Sequence, residues 1–178
     1  MVSNSLFFGI ELSIAAQAYV LGLIDRFKHL APKAEWTTPE KLHLTLLFVG
    51  KRDNEQEVAD TAERALLNVD RCELKLVGAG MFARPPVLYL AVRGAVAPLD
   101  KARSVLANDI GGVKNSFSSW TPHLTLAKGP PLDDLGTANI EIEKVTRDVA
   151  FTVDHVTLYK TVGGGQPYKE VRKYWTRG

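Results

Sequence analysis

Apolar residues recur along this chain in two rhythms. Leu6 to Ile10 is a short apolar run that predicts a buried first strand. Ser13 then stands ahead of Ala16, Val20, Leu23, Ile24 and Phe27, whose three- and four-residue spacing predicts a helix capped by Ser13 and closed before Pro32. Trp36 to Glu40 reads as a connector, and Leu42 to Val49 as a strand ending at Gly50. Asn54 to Asn68 is polar with Val58, Ala62, Ala65 and Leu66 on one side, which predicts a surface helix. Cys72 to Val77 alternates and predicts a strand.

The same order then returns. Val87 to Val92 predicts a strand, and Pro98 to Ile110 a helix with Leu99, Ala102, Val105 and Leu106 inward, stopped by Gly111-Gly112. Ser116 to Trp120 reads as a connector, Pro122 to Ala127 and Phe151 to Tyr159 as strands, Gly163-Gly164-Gly165 as a turn, and Tyr168 to Tyr174 as a returning strand. Leu6 answers to Val87 at an offset of 81, and each strand leads through a helix to a His-Leu-Thr-Leu tetrapeptide. These tetrapeptides start at His43 and His123, an offset of 80. A period this long with two copies is no solenoid. It predicts two similar lobes, about residues 1–80 and 81–178, related by a pseudo-twofold and fused into one domain over 1–178, with strand exchange between lobes allowed.

Composition narrows the picture. The 178 residues are 46% apolar and 24% charged, which suits one globular domain and excludes disorder as the main state. The single cysteine, Cys72, excludes an internal disulfide and any zinc site built on several cysteines. Lys and Arg number 22 against 20 Asp and Glu, a balance too mild to indicate nucleic-acid binding by itself. The apolar stretch from Ala15 to Ile24 contains Gln17 and is too short to span a membrane. The first residues lack a basic region ahead of the apolar stretch, and Glu11 interrupts it, so the reading is a cytoplasmic protein without a signal peptide. A self-contained pair of lobes predicts a monomer.

The tetrapeptides carry the chemistry. On a strand, residues two apart share a face, so His43 with Thr45, and His123 with Thr125, point away from the flanking leucines. Two such strands side by side bring two imidazoles and two hydroxyls into one cleft. One neutral imidazole can take a proton from water and a second, protonated, can give one to a leaving oxygen. Threonine hydroxyls can donate to the non-bridging oxygens of a phosphate. In-line attack on a phosphodiester needs base and acid on opposite sides of phosphorus, which twofold symmetry supplies. No metal and no cofactor is called for, and two histidines without a carboxylate or cysteine partner would leave a zinc short of ligands.

With these residues, the chain resembles the 2H phosphoesterase superfamily, and within it the RNA 2′,3′-cyclic phosphodiesterases, also called 2′-5′ RNA ligases. The likeness covers nearly the whole chain, including Leu6 to Glu11, Trp36 to Gly50, Phe82 to Leu90, Pro122 to Lys128, and Val156 to Tyr168. It implies an α+β, bilobal fold with two antiparallel sheets lining a central cleft and helices on the outside. It implies RNA ends with a 2′,3′-cyclic phosphate as substrate, opened to a 2′-phosphomonoester, and 2′-5′ ligation as the reverse chemistry. By this resemblance His43 is the general acid, His123 the general base, and Thr45 and Thr125 hold the phosphate. Rival readings are a phosphodiesterase on a small cyclic nucleotide such as ADP-ribose 1″,2″-cyclic phosphate, a 3′-exonuclease, and a nucleotide-binding module without turnover.

Three further residues are candidate substrate contacts. Lys128 stands where the family usually has arginine, keeping a charge for phosphate but losing the bidentate fork. Phe48 matches a family aromatic near the nucleobase, although strict alternation from His43 puts it on the opposite face. Arg84 precedes Pro85-Pro86 at a strand rim within reach of RNA phosphates. Lys169, Arg172, Lys173 and Arg177 make the C-terminal strand basic, which reads first as a solvated face.

Overall fold

The computed structural model describes residues 4–113, 119–163 and 165–178. Most of the connector expected at Ser116 to Trp120, and Gly164 of the glycine turn, lie outside the described residues. The elements follow the two rhythms of the sequence. The first half runs β1 (Ser5–Ile10), α1 (Ile14–Phe27), β2 (Glu35–Trp36), β3 (Leu44–Lys51), α2 (Glu55–Leu66) and β4 (Cys72–Ala83). The second runs β5 (Pro86–Gly94), α3 (Ala97–Ile110), β6 (His123–Lys128), α4 (Leu132–Glu143), β7 (Val149–Val153), β8 (His155–Lys160) and β9 (Lys169–Trp175). Ser13 caps α1 by accepting from the Ala16 amide at 3.3 Å, and the buried stripe of α1 is Ala16, Val20, Leu23, Ile24 and Phe27. Among the described residues no helix is long and apolar enough to cross a membrane.

The strands form one antiparallel sheet in the order β7-β4-β5-β6-β3-β1-β8-β9, with β2 added beside β6. The two expected sheets are its arms, β7-β4-β5-β6 and β3-β1-β8-β9, and they join at a single residue pair, Leu44 with Leu124. Each arm draws strands from both halves of the chain. β4 lies in the arm of the second motif strand, whereas β8 returns to flank β1, with β9 beside it on the outside. At the outer ends the arms touch again. Asp70 and Arg177 form a parallel bridge, and the Arg71 amide donates to the Arg177 carbonyl at 2.9 Å. The sheet is therefore curled, with a concave and a convex face.

The internal repeat is visible in the pairing register. Phe7, Phe8, Gly9 and Ile10 pair with Phe48, Leu47, Thr45 and Leu44, while Val87, Leu88, Tyr89 and Leu90 pair with Lys128, Ala127, Thr125 and Leu124. Every member of the second set stands 80 positions after its counterpart in the first. Val87 thus answers to Phe7 rather than Leu6, which corrects the offset of 81. Leu44 and Leu124 are themselves counterparts, so the pseudo-twofold passes through the pair that joins the arms at the centre of the sheet.

Both motif strands carry a bulge at the same place. The register skips Leu46 in β3 and Leu126 in β6. An extra residue on one strand shifts the alternation that follows it. Leu46 and Leu47 are accordingly buried in succession, as are Leu126 and Ala127. Phe48 and Lys128 return to the face of Thr45 and Thr125, so the opposite face expected for Phe48 from strict alternation is corrected by this bulge.

The two faces differ in kind. Leu6, Phe8, Ile10, Leu44, Leu88, Leu90 and Leu124 point to the convex side and merge with the apolar stripes of the helices into one core. Burying each such side chain contributes about 1.5–3 kcal/mol. The concave side is aromatic and polar, with Phe7, Tyr159, Tyr168, Phe82 and Tyr89 around the two histidines. Glycine makes room for two of these rings. A Cβ on Gly80 would lie 2.6 Å from the Tyr89 ring and hydroxyl, and one on Gly9 would lie 3.2 Å from the Tyr159 ring.

Several boundaries differ from expectation. Phe151 to Tyr159 is two strands, β7 and β8, broken at Asp154, where the chain crosses from one arm to the other. Trp36 is not only connector, because Glu35 and Trp36 pair with Lys128 and Ala127. Helix α4 has no counterpart in the sequence reading. Gly136 and Asn139 weaken its helical signal, yet Leu135, Ala138 and Ile142 form its buried stripe. In α3, Val105 is exposed and Arg103 is buried in its place, its guanidinium Nε 2.9 Å from Asp100.

The glycines yield an ordered prediction for urea melts. Gly80→Ala should destabilise by about 1–3 kcal/mol, because a ring must move to admit the methyl. Gly9→Ala should cost less, since its neighbours stand a few tenths of an ångström further off. Gly22→Ala, in mid-helix with nothing within 4 Å, should stabilise by about 0.5–1 kcal/mol. A neutral Gly80→Ala would show that the Tyr89 ring has no fixed seat.

Candidate active site

The cleft sits on the concave face where the arms join. Its volume is about 350 Å³, at the lower end of the roughly 300–1,000 Å³ typical of ligand sites. His43, Thr45, Thr125 and Lys128 line it, together with Glu35, Trp36, Thr37, Thr38, Lys41 and Tyr168. His123 begins β6 beside it, close enough for its charge to be felt at His43.

The two imidazoles are held in the same way. His43 Nδ1 lies 2.8 Å from the Lys41 carbonyl, and His123 Nδ1 lies 2.8 Å from the Thr121 carbonyl, each two residues upstream. A carbonyl only accepts, so Nδ1 donates and the neutral ring presents Nε2 as its basic atom. At His43 that Nε2 receives the Thr45 hydroxyl at 3.0 Å. Rings fix the remaining faces. Phe7 lies 4.9 Å and Tyr168 5.2 Å from the His43 ring, while Phe82 and Tyr89 present themselves to His123 at 5.1 and 5.4 Å.

Burial pushes the His43 imidazole below its ordinary 6.5, and the nearby His123 charge pushes the same way against the Lys41 carbonyl. His43 in the free protein is therefore mostly a neutral ring near pH 7. Behind it, Tyr159 donates to Glu11 at 2.7 Å, and burial together with that bond raises the phenol well above its usual range. Burial also pushes the Glu11 carboxyl up, but bonds from Tyr159, Lys173 and His155 outweigh it and hold it below 4.5.

The threonines are placed through their backbones. Beyond the Leu44–Leu124 pair the motif strands no longer bond to each other. The Thr125 carbonyl accepts the Thr37 hydroxyl at 2.9 Å, and the Thr45 carbonyl accepts the Trp120 indole at 3.2 Å. The connector into each motif strand thus supports the other one, and both carbonyls have a partner. This explains why the stretch from Glu35 to Lys41 lines the cleft, which the strand pattern alone did not reveal. Its sequence signals were its place directly ahead of His43 and the family likeness of Trp36 to Leu42.

The other candidates spread outward. Phe48 is 57% exposed on the cleft side of β3, opposite Phe7, and is not among the residues lining the cleft. Arg84 is exposed in the two-residue turn between β4 and β5, at the end of the hairpin where Val87 pairs with Lys128. Lys128 lines the cleft with its ammonium 3.6 Å from Glu35. The basic C-terminal strand is largely neutralised from within, since Arg172 pairs with Asp60 and Glu63, Lys173 with Glu11, and Arg177 with Asp70. Among the described residues, no three His, Cys, Asp or Glu side chains gather as a metal site would need.

Known proteins resemble this chain. The RNA 2′,3′-cyclic phosphodiesterase of Thermotoga maritima is 26% identical over 87% of this chain and 85% of its own length. That of Aeropyrum pernix is 24% identical, covering 79% of this chain and 90% of its own. The structure of E. coli LigT complexed with 3′-AMP superposes over the full length of both chains with a TM-score of 0.76 at 24% identity, which shows the shared fold. Residues 13–165 match the profile described as the 2′-5′ RNA ligase superfamily, and the chain, with its α+β fold and paired His-x-Thr strands, belongs to that family.

Proposed function

We propose that this protein opens RNA ends carrying a 2′,3′-cyclic phosphate to 2′-phosphomonoesters, by acid–base catalysis between two histidines and without a metal. The observation that carries this reading is the pair of His-x-Thr segments on strands related by a pseudo-twofold, each ring fixed by the same carbonyl bond. The names of the two bacterial and archaeal relatives support the substrate class.

In this reading the phosphate sits between the imidazoles, with Thr45 and Thr125 donating to its non-bridging oxygens. His123 takes a proton from water as the water attacks phosphorus. His43 gives a proton to the departing 3′ oxygen. Its lowered pKa makes the imidazolium a stronger acid, and the bound phosphate anion favours charging it at the moment it is needed. The same ring opening, with an RNA 5′-hydroxyl attacking phosphorus in place of water and the 3′ oxygen departing, gives a 2′-5′ linkage. Lys128 adds a positive charge, Phe48 offers a stacking face for a base, and Arg84 a contact to the RNA backbone. The protein acts as a monomer on soluble RNA in the cytoplasm.

The decisive experiment is turnover of a short RNA with a 2′,3′-cyclic end, in chelator, with the product phosphate located. A 2′-phosphate is the expected product. His43→Ala and His123→Ala should each lower kcat by about 10²–10⁴-fold with unchanged melting. Thr45→Ala and Thr125→Ala should cost about tenfold or more. Ordinary activity in either histidine variant would end the two-histidine mechanism, and activity abolished by chelator would end the metal-free one.

The pH profile tests the division of roles. A group that acts protonated sets the alkaline limb, and lowering its pKa moves that limb to lower pH. One limb of kcat/KM should lie below 6.5, but the limbs belong to the pair, so the roles are read in His43→Gln: with His43 as acid, its residual kcat/KM should keep the acid limb and lose the alkaline one. Residual activity that keeps the alkaline limb and loses the acid one would make His43 the base instead.

A further inference from the structure

The cleft holds a charge that a phosphate site would not be expected to tolerate. Among the described lining residues Glu35 is the one carboxylate. It is fixed there by the sheet, since β2 places Glu35 directly opposite Lys128 on β6, and cross-strand partners share a face. The bulge at Leu126 turns that face toward the cleft. Its Oε2 lies 3.6 Å from Lys128 Nζ, and its negative charge helps burial to raise the phenol of Tyr168, whose ring stands edge-on to His43. Stability does not explain the pair, because both side chains are more than half exposed and such pairs contribute little.

We infer that Glu35 is a charge filter, which disfavours a doubly charged phosphate monoester relative to a singly charged phosphodiester at the neighbouring phosphate site. This rests on the phosphodiester chemistry proposed above. A cyclic phosphodiester carries one negative charge, whereas an open monoester carries about −1.5 to −2 at pH 7, with a second pKa near 6. Lys128 alone attracts both, and the dianion more strongly. A carboxylate beside it cancels part of that gain, and the cancellation is largest for the more highly charged ligand. The consequence is quicker departure of the opened product and poor retention of RNA ends already bearing a monoester.

The test compares wild type with Glu35→Gln on two ligands, adenosine 2′-phosphate as the dianion and adenosine 2′,3′-cyclic phosphate as the monoanion. Dissociation constants come from calorimetry, with KM replacing that of the cyclic ligand if it is turned over. Glu35→Gln should tighten the 2′-phosphate about two- to fivefold at pH 7.5 and the cyclic phosphate less. The difference should fade at pH 5.5, where the monoester has lost its second charge. Equal changes for both ligands, the same ratio at both pH values, weaker binding of the 2′-phosphate, or no change at all would overturn the filter and leave Glu35 as a support for Lys128. The binding ratio is read with or without turnover, so a protein inactive on cyclic ends would refute the catalytic reading while this ratio still stood or fell by itself.

Discussion

The pairing of Leu44 with Leu124 organises the molecule. Among the described residues it is the only strand pair that joins β3 to β6, and its two members are repeat counterparts of one another. Because the pseudo-twofold runs through it, the residue before Leu44 and the residue before Leu124 are related across that axis. Those residues are His43 and His123. The two leucines are fully buried among helices on the convex side, so the histidines and threonines have no choice but the concave one. A short bridge also leaves the strands free to part beyond it, which opens space for a ligand. The carbonyls exposed by that parting are claimed by Thr37 and Trp120, each reaching across from the other repeat.

Much of this was readable from residues alone, and for identifiable reasons. The stripe of α1 and its Ser13 cap follow from helical spacing, and the facing of His43 with Thr45 follows from the pleat. Periodic segments announce themselves because each buries one face. The failures have physical causes too. Phe48 lies past a bulge, and nothing in Leu46-Leu47 marks which residue is the extra one until the pairing with β1 is seen. Asp154 is one polar residue in an apolar run, and its role as a crossing point depends on which strands wait on either side. Helix α4 hides behind poor helix formers and is held by packing on β4, β5 and α1. Glu35 and the rest of the connector come to the cleft through pairing with a strand some ninety residues away.

The electrostatics of the cleft come from restraint rather than abundance. His43 is tuned by burial, and both rings are held by backbone carbonyls rather than by a carboxylate. The carboxylate nearest the histidines' aromatic wall, Glu11, is kept busy by Tyr159, Thr157 and Lys173. Such a site takes its polarity from the ligand. The two repeats are alike in backbone but unlike in side chains, with Phe48 in one where Lys128 stands in the other, and that asymmetry gives a symmetric frame a direction.

The interleaving of strands bears on how the molecule is made. β1 leaves the ribosome long before one of its two sheet neighbours, β8, and β9 follows only after that. Until then β1 has an open edge facing solvent, beside an aromatic floor that includes Phe7. The second arm has the opposite history, for β4, β5 and β6 can pair as they emerge. A growing chain would therefore carry its later repeat nearly assembled while its earlier one still waited, and the pocket would take shape only once β8 and β9 had emerged. A truncated product would present an unpaired edge rather than half an enzyme, and would be a natural target for proteolysis.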